Sequence, residues 1–160
     1  RDQKQMDISF SYERTPLGTI GPLNLIKGKL QDDFIVLNGD LITDLDLTEF
    51  IKFHKTHDGY LTVAVTDKSV SIDMGVLVSD RNKVVDFHEK PIKTYEVSMG
   101  IYCMSPEIFD YIPEEKYFGF DHLMYIMLKS KMPVFTYRHS GKWMDIGRPE
   151  DFELAQNEEF

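Results

Sequence analysis

Asp40 and Asp145 are the side chains best placed to do chemistry. Each lies in a short apolar run beside a glycine: Val36-Leu37-Asn38-Gly39-Asp40 and Trp143-Met144-Asp145-Ile146-Gly147. An ionised carboxylate accepts hydrogen bonds and ligates cations. Two of them delivered from strand ends far apart in sequence are what one Mg2+ site needs. Mg2+ takes one or two carboxylates and completes its shell with water and substrate phosphate. A metal bridging phosphate oxygens neutralises charge in an in-line displacement. Alone, Asn-Gly-Asp is also ordinary turn chemistry, so the second carboxylate is what favours a shared site.

A second cluster is Glu89-Lys90-Pro91. Proline biases the residue before it towards extended backbone, which would send Lys90 off its strand in a fixed direction. Lysine is a compact charge suited to phosphate, and the Glu89 carboxylate can accept from sugar hydroxyls. A solvated surface ion pair is the plain alternative. The third cluster is the loop from Glu13 to Pro22, where backbone around Gly18 and Gly21 can approach a flat ligand or a phosphate. A plain strand-to-helix turn explains it equally. His54 and His57 are expected on the exposed end of a helix, and His88 in a strand as a sheet residue. No His/Cys metal spacing and no Ser/His/Asp arrangement stands out. Asp121 is expected to cap a helix.

These side chains need strands and helices to hold them. Phe34–Leu37 is an apolar run ended by turn residues, hence a buried strand. In an open α/β sheet, ligands sit beyond the carboxyl ends of such strands, which puts Asp40 at the rim, with Gly39 expected to allow a tight turn. Ile8–Tyr12 alternates as a strand. Gly21–Lys29 has helical patterning with Pro22 in its first turn. Asp46 or Thr48 caps a helix running from Leu47 through His54. Further strands are expected at Tyr60–Thr66, Met74–Val78, Lys83–His88, Val97–Met104 and Pro133–His139. The turn Asp80-Arg81-Asn82 joins two of them as a hairpin. Helices are expected at Pro106–Tyr111, Asp121–Leu128 and Pro149–Asn157. The expected fold class is α/β, with a mixed, mostly parallel sheet, flanking helices and an antiparallel insertion.

At 160 residues the chain is long enough to bury a core. Its net charge of −9 argues against nucleic acid or an anionic membrane as partner. The single cysteine, Cys103, excludes an intramolecular disulfide and suits a reducing, cytoplasmic setting. No apolar run approaches the ~20 residues of a transmembrane helix.

In order, Glu13…Pro16-Leu17-Gly18-Thr19-Ile20-Gly21, Val36 to Asp40, Gly75, Glu89-Lys90-Pro91, Ser98-Met99-Gly100-Ile101-Tyr102 and Trp143 to Asp151 resemble the sugar-phosphate nucleotidyltransferase family. The resemblance runs through nearly the whole chain. It implies a Rossmann-like α/β fold and a reaction joining a sugar 1-phosphate to a nucleoside triphosphate, with release of pyrophosphate. It implies Asp40 and Asp145 as paired Mg2+ carboxylates and catalytic residues. It also implies Glu89 on sugar hydroxyls, Lys90 on the sugar 1-phosphate, and Gly75 with Ser98 to Gly100 lining the sugar pocket. Glu13, Pro16, Gly18 and Thr19 would contact the base. Guanine offers adjacent N1–H and N2–H2 donors to a carboxylate such as Glu13, and Pro-Leu-Gly-Thr resembles the guanylyltransferase branch, so GTP is the expected nucleotide.

The family's Gly-Gly-x-Gly-x-Arg-Leu loop and following Pro-Lys have no counterpart in this sequence. Residues 1–160 are therefore expected to be the C-terminal portion of a nucleotidyltransferase domain, N-terminally truncated, with the first βαβ unit missing. Met99 stands where the family commonly has a small residue. A homo-oligomer would fit as the assembly, since another copy or a partner could cover the uncovered sheet edge. A truncated, non-catalytic sugar-phosphate-binding module of the same fold is the alternative. A nucleotide-sugar glycosyltransferase using Asp44-Leu45-Asp46 ranks behind both.

Overall fold

The computed structural model describes residues 7–157. The strands are β1 (Phe34–Leu37), β2 (Leu41–Thr43), β3 (Leu61–Ser71), β4 (Val76–Asp80), β5 (Lys83–His88), β6 (Ile92–Met104), β7 (Val134–Arg138) and β8 (Trp143–Asp145). Three α-helices, α1 (Leu47–Lys55), α2 (Phe120–Lys129) and α3 (Pro149–Asn157), accompany 3-10 segments at Gly21–Lys29 and Pro106–Tyr111. A four-stranded sheet has the order β1-β6-β3-β7, and β2-β8 and β4-β5 form two-stranded sheets.

Hydrogen bonds fix the strand directions. Ser105 N–H donates to Tyr60 O and Ile72 N–H to Pro91 O, so β6 runs against β3. Asn38 N–H donates to Gly100 O, and Ser105 Oγ donates to Asp33 Oδ1, so β6 also runs against β1. His139 N–H reaches Val65 O, while Gly59 lies against Pro133 O, so β7 runs with β3. Thus β1, β3 and β7 share a direction, and the sheet is mixed as expected.

The chain divides into two compact units. One takes the described residues up to Val36, with Ile51–Thr62 and Tyr102–Phe135; the other takes Leu37–Phe50, Val63–Ile101 and the chain from Thr136 onward. In the first unit, Leu123 and Met127 sit one turn apart on α2 and are fully buried, as are Ile108, Met104 and Ile20. Phe34 stacks on Phe109 at 5.9 Å between ring centroids. In the second, Phe50, Val63, Ala64, Val65, Met99 and Ile101 form the buried core. Phe50 packs on Tyr137 at 5.3 Å. Beyond Thr66, β3 continues into solvent, as do the hairpin β4–β5 and the first half of β6. The hairpin turn is as expected: Arg81 and Asn82 both take left-handed backbone, at φ 44° and 67°, the combination that matches strand twist.

Several expectations are corrected. Ile8–Tyr12 is not a strand, and its side chains are largely exposed. Alternation stabilises a strand only against a neighbouring one, and this segment has none among the described residues. Gly21–Lys29 is a 3-10 segment, with Leu23 N–H on Ile20 O and Leu30 N–H on Lys27 O. Asp46, not Thr48, caps α1, accepting from Thr48 N–H and Glu49 N–H. Asp121 is not a cap: Gly119 holds that position, and its N–H is bound by His122 Nδ1.

His54 departs furthest, being 2% exposed rather than solvated. Its Nδ1 meets Thr62 Oγ1 at 2.7 Å and its Nε2 meets Ser105 Oγ at 2.9 Å. Ser105 donates onward to Asp33, so it accepts from Nε2–H, and Nδ1 accepts from Thr62. The helix periodicity was legible, but which face met the core was not. His57 is also half-buried, between the rings of Phe53 and Phe135 at 4.2 and 4.4 Å.

Burial holds the His54 imidazole below its usual pKa, with His57 and Lys55 adding to the effect and Asp33 opposing it. The unfolded chain therefore takes up a proton first on acidification, and stability falls as pH drops below about 6.5. Thermal melts between pH ~7.5 and ~5 should show a shallower loss for His54→Gln than for the natural chain. Parallel profiles would contradict this role.

Candidate active site

The second unit brings Asp40 and Asp145 together. β2 and β8 pair antiparallel with Leu41 opposite Asp145, Ile42 opposite Met144 and Thr43 opposite Trp143. That register sets Asp40, one residue before the ladder, beside Ile146, one residue after it, and Ile146 N–H donates to Asp40 O at 2.8 Å. Gly147 N–H then donates to Asp145 Oδ1 at 3.0 Å. A Cβ on Gly147 would lie 2.8 Å from Asp40 Oδ2 and 3.1 Å from Asp145 Oδ1. The two carboxylates thus converge on space that only the absence of a side chain leaves open. Both are exposed, and a two-carboxylate oxygen donor set beside solvent fits Mg2+.

Neighbouring strand ends hold this pair. Gly100 takes left-handed backbone at φ 72°, and a Cβ there would come within 2.7 Å of Asn38 Nδ2. Ser98 Oγ accepts from Gly100 N–H at 3.2 Å. Trp143 donates its indole N–H to Met99 O at 2.9 Å, which tethers β8 to β6. Met99 turns its side chain into the core, fully buried. Gly39 has no left-handed backbone, and a Cβ there would meet nothing within 4 Å. It lies in the turn between β1 and β2, as expected, and borders open space.

Glu89 and Lys90 form a separate cluster in the same unit. A Cβ on Gly75 would come 3.3 Å from Glu89 Oε2 and 2.6 Å from the Phe87 ring. Lys90 Nζ pairs with Asp73 Oδ1 at 2.7 Å. Lys90 is not extended but left-handed, at φ 44°. The chain must reverse between the end of β5 at His88 and the start of β6 at Ile92, and that reversal overrides the bias imposed by Pro91. His88 is exposed and lies 3.1 Å from Asp86 Oδ2.

The base-contacting candidates belong to the first unit. Glu13 Oε2 accepts from Leu17 N–H at 2.7 Å. Gly18 has φ 83°, and a Cβ would meet Phe118 O at 2.7 Å. Thr19 Oγ1 accepts from Phe120 N–H at 3.0 Å. These contacts clamp the loop along residues 116–120, while Pro16 is exposed. A cavity of about 430 Å³ opens beside Glu13, lined also by Tyr12, Arg14, Thr15, Leu17, Leu25 and Glu115. Asp44 binds His139 Nε2 at 2.8 Å and Asp46 is spent on the helix cap, which removes the Asp44-Leu45-Asp46 metal motif.

The Nucleotidyl transferase family model matches residues 1–159. The chain belongs to the nucleotidyl transferase family. Mannose-1-phosphate guanyltransferase of Pichia angusta is 34% identical over 155 residues, 92% of this chain and 42% of the relative. Probable mannose-1-phosphate guanylyltransferase 3 of Arabidopsis thaliana is 35% identical over 160 residues, 95% of this chain and 48% of the relative. The chain thus spans less than half the length of these curated relatives. Among solved structures, HddC from Yersinia pseudotuberculosis complexed with GMP-PN is similar, with a TM-score of 0.63 and 28% identity over 91% of this chain and 64% of that one. A putative glucose-1-phosphate thymidylyltransferase from Bacillus anthracis shares the fold, with a TM-score of 0.64 at 24% identity, over 96% of this chain and 68% of that one.

Within this nucleotidyl transferase chain, sequence reasoning overlooked three participants. β2 is too short for an apolar pattern to announce it, yet its register with β8 is what joins the carboxylates. Gly147 lay inside a quoted motif without a role. Asp73, paired with Lys90, carried no signal beyond its charge. Among the described residues no helix is long and apolar enough to cross a membrane.

Gly147→Ala is compatible with the backbone but fills the space between the two carboxylates. We expect its Mn2+ affinity to fall about tenfold or more with little change in melting temperature. Undiminished affinity in a titration would contradict the shared site.

Proposed function

We propose that this chain is part of an enzyme that joins a sugar 1-phosphate to a nucleoside triphosphate, giving a nucleoside-diphosphate sugar and pyrophosphate, with GTP as the favoured nucleotide. The convergence of Asp40 and Asp145 over Gly147 carries this proposal. Family membership and the guanylyltransferase relatives support it.

In this reaction an oxygen of the sugar phosphate attacks the α-phosphorus of the triphosphate. A new P–O bond forms, the α–β P–O bond breaks, and pyrophosphate carries away the electron pair. No protein nucleophile is required, so positioning and charge neutralisation supply the catalysis. Asp40 and Asp145 would hold Mg2+, which when bound supplies positive charge to phosphate oxygens. Lys90 would release Asp73 to meet the sugar phosphate, an exchange made easy because an exposed ion pair is weak. Glu89 would accept from sugar hydroxyls, with Gly75, Ser98 and Gly100 leaving room for the ring. Glu13 uses one oxygen to hold Leu17 N–H, and its other oxygen would accept from the guanine edge, with Gly18, Thr19 and Pro16 shaping the loop. A cytoplasmic setting suits Cys103, fully buried with its thiol pushed up to about 11 by burial first and Asp33 second.

Calorimetric titration with mannose 1-phosphate and GTP, with and without Mg2+, tests the proposal. Mg2+ should strengthen GTP binding, and Asp40→Asn or Asp145→Asn should abolish that enhancement while the thermal melt is retained. An enhancement intact in both variants would remove the metal assignment. Sugar-phosphate binding without GTP binding would favour the non-catalytic module instead.

Glu13→Gln should shift preference from GTP towards UTP by roughly tenfold, the worth of one base-discriminating pair. An unaltered ratio of binding constants would remove the basis for guanine.

A further inference from the structure

The β2–β8 ladder has two ends, and they carry opposite electrostatics. Each strand contributes three residues, the lower limit for a strand, and Asp40 and Asp145 repel each other at one end. At the other end Asp44 Oδ1 accepts from His139 Nε2–H at 2.8 Å, since an ionised carboxylate can only accept. His139 is the more enclosed partner, its side chain 14% exposed against 54% for Asp44. Its backbone is anchored as well. His139 N–H donates to Val65 O at 2.8 Å, and Val65 belongs to the buried part of β3. Beside the pair, Lys142 O accepts from Asp44 N–H at 3.2 Å and from Thr43 Oγ1 at 2.9 Å. A Cβ on Gly141 would collide with Asp44 Oδ1 and lie 2.6 Å from His139 Cε1. The pair therefore closes over a glycine, as the two aspartates converge over Gly147.

We propose that His139 and Asp44 are positioning residues for Asp40 and Asp145. Their hydrogen bond pins β2 to the four-stranded sheet through β3, and so opposes the slip or opening that the aspartates favour at the far end. A one-residue slip would turn the side chains of β2 to the other face and separate the two carboxylates. An exposed ion pair is weak, but His139 is largely enclosed and fixed at its backbone, so less freedom is lost in making this one. The bearing of the pair on catalysis rests on the proposed cation site, whereas its hold on the ladder does not.

Amide hydrogen exchange in the metal-free protein reads that hold at Ile146 N–H, which donates to Asp40 O at the opposite end of the ladder from the pair. His139→Ala and Asp44→Ala should each speed Ile146 exchange several-fold, with the Val63–Val65 amides unchanged. The double alanine variant should be no faster than either single one, because one interaction is lost in all three. His139→Gln keeps a side-chain N–H for Asp44 and should exchange as slowly as the natural chain. Mn2+ affinity should follow the same order, falling several-fold in the alanine variants and recovering in His139→Gln. A thermal melt confirms that each variant is folded. Gly141→Ala removes neither partner but forces the two apart, and it serves where an alanine variant does not fold. Unaltered Ile146 exchange in the folded variants, or equal loss in His139→Ala and His139→Gln, would overturn the inference. Absence of Mn2+ binding in the natural chain would remove the cation site instead, and with it the role in positioning.

Discussion

The short ladder between β2 and β8 is the constraint on which the rest depends. Two aspartates separated by more than half of the chain have no reason to approach one another, since like charges repel. Backbone pairing imposes the approach. Leu41 opposite Asp145, then Ile146 N–H on Asp40 O, bring the two side chains to the space above Gly147. Stability and function are thus divided between the buried strand segments that fix the backbone and the exposed strand ends that carry the charges.

The surrounding residues make sense as supports for that arrangement. Gly100 allows β6 to pass Asn38 at a distance no other residue could tolerate. Trp143 ties β8 to Met99 O. The first unit solves a comparable problem with different chemistry. The Thr62–His54–Ser105–Asp33 chain satisfies every polar atom of a buried imidazole, and Gly18 and Thr19 fix a loop against Phe118 and Phe120. Each unit therefore has its own ordered segment: the loop around Gly18 in the first, the paired strand ends around Gly147 in the second.

Much of this was legible in the sequence because it rests on local rules. Phe34–Leu37 reads as a strand from its apolar run, Asp80-Arg81-Asn82 as a turn from its residue types, and Pro149 as a helix start. Asp40 and Asp145 stood out as a pair, each in a short apolar run beside a glycine and far apart in sequence. What was hidden depends on long-range geometry. The burial of His54 is decided by Thr62 and Ser105, which lie on other elements. Ile8–Tyr12 alternates, but among the described residues it has no neighbouring strand to reward it. The left-handed backbone of Lys90 follows from a reversal set by β5 and β6 together, which a local preference before Pro91 could not reveal.

The central claim is that Asp40 and Asp145 form one cation site. The most direct test is paramagnetic: Mn2+ added to isotopically labelled protein, with amide broadening followed residue by residue. The account predicts that Asp40, Ile146 and Gly147 broaden first and together, at a single shared affinity. Broadening scattered over the acidic surface, or centred away from Gly147, would contradict it.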